Sequence, residues 1–449
     1  MKILKFGGTS MGDANTWQRV LNIIDRYQAP FIVVSATART TRELLSAANK
    51  AIESLSEAQT KAKSIQQRHQ KIISKFTDDY PKKGDQCQNI CGQWIDEQIR
   101  ELKQALINIQ EAKELTPKTK DAILSIGEQL SSYLFVQCGS LFGIPMQWVD
   151  AADIIRTDSD FGQANPDTDY LKQKAPELQE LVHSNRIPVM GGFYGHDANN
   201  TTTTLGFEGS DYTASLIGAT LNAEVIEIWT DVSGIYTCDP RVIDDAKPIS
   251  HLSFQEATEL AYFGAKVLHP STTKPASQKQ IPISVKNIFA PNEPGTCISH
   301  EIQETEGVKA MTFKKDCVVI TVTSSNTVMG YEFLANVFDI LRWHHLPVDA
   351  VTTTEASVSI AIENGNRIDD AIEQLQSYGS VELDSSQGII SLVGCATKKA
   401  QLLVNDILLY LKDTPVNMIS FSQPKGNLNI VVPKEYVIPS IKEIHQQLF

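Results

Sequence analysis

Nothing in the 449-residue sequence approaches the ~18–20 consecutive apolar residues that a membrane-spanning helix needs. The first residues, Met1-Lys2-Ile3-Leu4-Lys5-Phe6, run into glycines instead of an apolar signal core, and this points to a cytoplasmic protein. Basic excess is missing too. Lysine plus arginine is 40 against 53 aspartate plus glutamate, a net charge of −13, so no global field attracts a polyphosphate backbone and no nucleic-acid partner is expected. Any anionic ligand must meet a locally positive site. Cysteine is sparse and scattered, at Cys87, Cys91, Cys138, Cys238, Cys297, Cys317 and Cys395. Cys87 and Cys91 would share one face of a helix, but no second Cys/His pair nearby completes a zinc site, so they read as buried or idle thiols. A Walker A loop is absent. Hydrophobic residues at 42% and charged residues at 21% are ordinary for globular chains, which excludes disorder, collagen and coiled coil; the length suggests about three domains.

Against these absences, the patterning is rich. Ile3–Phe6 is a short strand ending at Gly7-Gly8, Pro30-Phe31-Ile32-Val33-Val34-Ser35 is a stronger one, and Trp17, Val20, Leu21 and Ile24 lie between them at helical spacing. That is a β-α-β unit of a parallel sheet. From about 42 to 113 the pattern is helical, with a polar break at 77–85; strand-like runs return at 144–149, 187–190, 223–229 and 281–285. These features predict a large α/β domain over 1–299. Beyond 307, two successive β-α-β-β patterns (317–362 and 388–432) predict small α+β modules spanning about 308–385 and 386–449.

Three stretches carry candidate chemistry. Lys5-Phe6-Gly7-Gly8-Thr9-Ser10 places glycines, a cation and a helix N-terminus at the end of a strand, a setting suited to phosphate. Gly191-Gly192-Phe193, the four threonines 201–204 and Gly209-Ser210-Asp211 bring hydroxyls and a carboxylate to a second helix start. Thr230-Asp231 through Asp239-Pro240-Arg241 lies where ligands of open α/β sheets bind. Each stretch has a plainer reading, as a tight turn or a polar surface loop. His269, before a proline, and His344 and His345, at a predicted helix end, read as structural.

Taken in order with Ser125-Ile126-Gly127-Glu128, Thr202–Gly206, Gly234-Ile235-Tyr236 and the run from Phe263 to Pro270, these motifs resemble aspartokinase, closest to the monofunctional lysine-sensitive type. The repeated C-terminal modules resemble that family's paired, tandem or interleaved ACT domains. The resemblance implies an amino-acid-kinase fold, mainly a parallel sheet between helices, and transfer of the ATP γ-phosphoryl group to the side-chain carboxylate of L-aspartate. It implies Lys5, Gly8, Asp211 and Lys266 as catalytic residues. Nucleotide binding falls to Lys5, Gly7, Ser10, Thr230, Asp231, Tyr236, Asp239, Arg241, Lys266 and Val267, with Mg²⁺ riding mainly on the phosphates. Thr41, Glu128, Phe193, Phe207, Ser210 and Asp211 would form the amino-acid pocket, Glu128 pairing with the ammonium group. Phe333, Leu334, Val348, Asp349, Thr354 and Glu355 match an effector site for an amino acid such as lysine, and the ACT modules imply a homodimer. For these modules, effector binding and a purely dimer-forming role both stay open.

One departure matters. The family pattern has an arginine after Leu205-Gly206 to grip the substrate α-carboxylate, and this chain has Phe207. Losing one partner of a buried ion pair costs ~3–5 kcal/mol. Arg39 and Arg42 flank Thr41 where the family has small or short polar residues, so they are candidates for the missing guanidinium, against the plainer reading as solvent-facing arginines. Three readings compete: an aspartate kinase with a rebuilt pocket, a same-fold kinase for another carboxylate, and a catalytically weak sensing subunit.

Overall fold

Strands form where β-branched and aromatic residues run together and are buried on both faces: the residues of Phe31–Val34 are wholly buried, as are those of Lys2–Phe6 after its first residue. In the computed structural model, which describes residues 1–449 except 266–267, 302–306, 325–329, 366–367, 395–399 and 423–425, the chain divides into two units. One comprises 1–235 with 268–300, and the other 236–267 with 301–449.

In the first unit the strands run in the order Met146–Val149, Ile187–Gly191, Phe31–Val34, Lys2–Phe6, Val225–Thr230, Ile283–Asn287, all parallel, with Thr296–Ser299 antiparallel beside the last. Phe6 lies opposite both Val34 and Trp229, and Val34 opposite Gly191. The carboxyl ends of four strands are therefore level, and the loops at Gly7, Ser35, Gly192 and Asp231 emerge together. The crossover helix Ala14–Ile24 starts with a capping box between Asp13 and Thr16 and buries Trp17, Val20, Leu21 and Ile24, the expected face.

The expected helical excursion is present as Thr40–Glu53, Leu55–Thr77 and Pro81–Ala112, followed by Pro117–Phe142, which carries Glu128. Their apolar faces share one core with the sheet. Cys87 and Cys91 do share a helix face, Sγ to Sγ 3.8 Å; both are buried, as is Cys138. The helix Gly209–Leu221 is buried along nearly its whole length and enters the site at its N-terminus.

In the second unit all the C-terminal strands form one antiparallel sheet in the order Val348–Thr353, Ser357–Glu363, Ala310–Ser324, Gly379–Val393, Asn427–Pro433, Met418–Ser422. The two long central strands are shared by both modules. One apolar core forms around Val318, Ile320, Val337 and Ile360, and another around Ile390, Ile407, Ile430 and Ile441. Residues 236–267 belong here: Cys238 and Ile243 join the second core, Met311 N donates to Thr237 O at 2.7 Å, and Asn427 Nδ2 to Glu259 Oε2 at 2.7 Å. No described helix is long and apolar enough to cross a membrane.

Candidate active site

Lys5 occupies the penultimate position of the first strand, where the following Gly7-Gly8 turn leaves its side chain at the sheet's carboxyl edge. A Cβ on Gly8 would stand 3.3 Å from Ala36 O, so the glycine permits the close approach of the two loops. Ser10 is fully buried and its hydroxyl donates to Trp229 O at 3.0 Å. It shapes the loop and does not present its hydroxyl to a ligand.

Lys5 Nζ lies 2.7 Å from Asp211 Oδ2, and both side chains are about nine-tenths buried. Asp211 stands in the first turn of Gly209–Leu221, where a carboxylate also meets the positive end of the helix. Its other oxygen, Oδ1, is buried without a hydrogen-bond partner among the described residues. Glu128 is buried as well: Oε1 accepts from Ala36 N at 3.1 Å and Oε2 has no partner among the described residues. Burial pushes its pKa up to about 8, against weaker opposing pulls from the Ala36 amide and the Lys5 charge. A buried carboxyl with one oxygen bare has the chemistry to receive a cation.

Glu208, which the sequence did not single out, completes the group. It is the left-handed N-cap of the Asp211 helix (φ 54), its Oε2 accepts from His269 N, and its pKa is raised by burial and then by the Asp211 charge, with Lys5 opposing. Lys5 is thus paired with Asp211, and its charge also acts on Glu128 and Glu208.

Phe193 adopts φ 73, its N–H bonded to Thr213 Oγ1 at 3.0 Å, and Ser210 is buried so tightly beneath Gly192 that a Cβ there would stand 2.6 Å from Ser210 Cα. Thr41 is half-buried at the start of Thr40–Glu53. Phe207 is 76% exposed, its ring edge-on to His269 at 6.1 Å, so it lines no apolar pocket. Arg39 and Arg42 are exposed, and no hydrogen bond or ion pair engages either guanidinium group among the described residues. His269 caps the helix Pro270–Gln278, the structural role expected of it.

On the nucleotide side, Thr230 ends its strand and its hydroxyl donates to Asp231 Oδ1 at 3.1 Å. Tyr236, Asp239 and Arg241 fall in the second unit, where Asp239 holds the exposed Arg241 by a 2.7 Å ion pair. Lys266 and Val267 lie outside the described residues. Of the effector candidates, Phe333 is buried in the helix Tyr331–Trp343, Leu334 and Val348 are half-buried, and Thr354 and Glu355 are exposed. Asp349 was expected to face a ligand's ammonium group. It is buried and paired with Lys314 Nζ at 2.8 Å, leaving Oδ2 bare.

Residues 1–287 match the family described as the amino acid kinase family. The chain is 33% identical to lysine-sensitive aspartokinase 3 of Escherichia coli strain K12 over 459 residues, covering 100% of this chain and 99% of that protein. It is 32% identical to chloroplastic aspartokinase 1 of Arabidopsis thaliana over 472 residues, covering 100% and 80%. Among solved structures it is similar to E. coli aspartokinase III in complex with aspartate and ADP, with a TM-score of 0.88 at 30% identity and complete coverage of both chains. The expected fold, an amino-acid-kinase α/β region followed in sequence by ACT-type modules, is the one observed. The chain belongs to the amino acid kinase family and, within it, to the aspartokinases.

Proposed function

We propose that this protein transfers the γ-phosphoryl group of ATP to the side-chain carboxylate of L-aspartate, giving 4-phospho-L-aspartate. The observation that carries this reading is the buried Lys5–Asp211 pair standing in one site with the bare oxygen of Glu128. The nucleophile is itself a carboxylate, ionised at neutral pH, so no general base is required. What the reaction needs is alignment of two anions and neutralisation of charge as the phosphoryl group passes between them. Lys5 supplies a cation there, held by Asp211, and Glu128 takes the substrate ammonium, which orients the reacting carboxylate. Gly7 and Gly8 let the backbone approach the phosphates, while Thr230, Asp231, Tyr236, Asp239, Arg241, Lys266 and Val267 hold the nucleotide.

Mg²⁺ fits this donor set, because the bare oxygen of Asp211 and the carboxylate of Glu208 are hard oxygen donors that would help to hold a hydrated ion carried on the phosphates. When bound, the ion neutralises phosphate charge. Catalysis is assigned to 1–299 and regulation to 308–449. In the latter, Glu355 is exposed and the bare Asp349 oxygen lies near it in sequence, which favours an amino-acid effector such as lysine, as in the solved E. coli complex with lysine and aspartate. Pairing of ACT modules into a homodimer and a cytoplasmic location complete the reading.

The test is an ATP-dependent hydroxamate assay, which traps acyl phosphates, run over a panel of amino acids and other carboxylates. Hydroxamate with aspartate above all others is the expected result; none with aspartate but some with another acid overturns the substrate. The exposed Phe207 gives the second reading no apolar pocket to rest on.

With Phe207 in the arginine's place, the α-carboxylate is assigned to Arg39 and Arg42, whose guanidinium groups have no partner among the described residues. Arg39→Ala or Arg42→Ala should raise the aspartate KM by at least tenfold, about 1.4 kcal/mol, with the ATP KM unchanged. Unchanged kinetics in both variants would return the two arginines to ordinary surface residues.

A further inference from the structure

The helix Thr40–Glu53 begins abnormally. Its N-cap, Arg39, is left-handed (φ 70, ψ −8), and its side chain caps nothing. A non-glycine residue reaches that region only when its surroundings hold it there. Directly beneath lie Thr37, Thr40 and His69, none more than 1% exposed. Arg68 Nη2 donates to Thr40 Oγ1 at 2.9 Å, Thr40 Oγ1 and Thr37 Oγ1 are 2.6 Å apart, and Thr37 Oγ1 is 2.8 Å from His69 Nε2. His69 Nδ1 lies 2.8 Å from Ile65 O.

The hydrogens in this chain assign themselves. A carbonyl only accepts, so Nδ1 carries the ring proton and Nε2 accepts from Thr37. Thr37, having donated to the ring, accepts from Thr40, which in turn accepts from Arg68. The direction is fixed from Arg68 to Ile65 O. Burial holds the His69 pKa near 4, so the ring stays neutral in ordinary buffers. The loop it grips is the one whose Ala36 N–H donates to Glu128 Oε1 and which bears Arg39, Thr41 and Arg42.

We propose that His69 is a positioning residue for the amino-acid substrate: as the ring acceptor for Thr37, it locks the Ala36–Thr41 turn and so sets both Glu128 and the two free arginines against the substrate. It touches neither substrate nor nucleotide. Its kinetic consequence rests on the aspartate-kinase reading above.

The test uses the full chain. His69→Phe keeps the bulk and loses the acceptor; it should raise the aspartate KM at least tenfold and leave the ATP KM within twofold. His69→Gln, which restores an acceptor, should recover most of that change. Thr37→Val interrupts the same chain with the ring intact and should reproduce the shift, which keeps the test decisive if His69→Phe fails to fold. Equal shifts in both KM values, or a lowered Tm with no KM change, overturn the proposal. Hydrogen exchange of the amides from Ala36 to Thr41 should quicken at least tenfold in Thr37→Val, and unchanged exchange overturns it independently of any substrate. Absence of turnover with aspartate in the unaltered protein, with exchange behaving as expected, would count against the substrate and not against His69.

Discussion

Replacing Lys5 with methionine is expected to lower kcat about 10³-fold and to destabilise the first unit by roughly 3 kcal/mol. The two effects have different origins. The rate falls because the site loses a preorganised cation where charge moves during transfer, and one such group is worth about 10²–10³ in rate. Stability falls because Asp211, about nine-tenths buried with one oxygen already bare, is left with an uncompensated charge. These are separable. The double variant Lys5→Met with Asp211→Asn removes the stranded charge, so its Tm should return most of the way to that of the unaltered protein while kcat stays low. Thermal unfolding and the hydroxamate assay read the two quantities side by side. If Lys5→Met keeps kcat within tenfold, or the double variant regains activity, Lys5 is a structural cation only.

The sequence made the frame of this site legible for definite reasons. Parallel strands buried on both faces announce themselves as short apolar runs, and Gly7-Gly8 and Gly191-Gly192 mark where two of them stop. Level registration of those ends follows from the ladder pairing of Phe6 with Val34 and Trp229. What stayed hidden depended on contacts distant in sequence. Glu208 looks like a loop acid in Phe207-Glu208-Gly209, and only the left-handed cap turns it toward Asp211 and Lys5. His69 is one polar residue among many on a long helix; its role arises from Thr37, 32 positions away. Cys87 and Cys91 were placed on one face by their spacing, whereas Cys138 comes from a different helix. Residues 236–267 read as a continuation of the α/β pattern, yet Thr237 and Glu259 within them bond to Met311 and Asn427 of the C-terminal sheet. Asp349 matched an effector motif by position, and the motif carries no sign that Lys314 is already its partner.

Glu128→Gln should have opposite effects on stability and function, and both should depend on pH. The carboxyl has an ordinary pKa of 4.5 and a folded value of about 8 because burial penalises its charge. For a group whose folded pKa is raised, the stabilising contribution is fully present below the unfolded value and is lost as pH climbs through the folded one. Between pH 4.5 and 8 the empty site therefore keeps a proton that the unfolded chain releases, at a cost that grows with pH to a ceiling of about 5 kcal/mol. Glutamine carries no such penalty. The variant should show a Tm several degrees above the unaltered protein at pH 8.5, with the difference shrinking steadily toward pH 5.5. Function should move the other way. The substrate ammonium binds the ionised carboxylate, so binding expels a proton, and the aspartate KM of the unaltered protein should fall up to tenfold per pH unit between pH 6 and 8 and then level. Glu128→Gln should flatten that profile and raise KM at pH 8 by at least 10², the cost of leaving an ammonium group without its buried counter-charge. The ATP KM should not follow either trend. A Tm advantage of the variant over the unaltered protein that is no larger at pH 8.5 than at pH 5.5 would show that Glu128 is not the strained acid of the empty site, and a KM profile that keeps its slope without the carboxylate would show that it is not the group that receives the substrate.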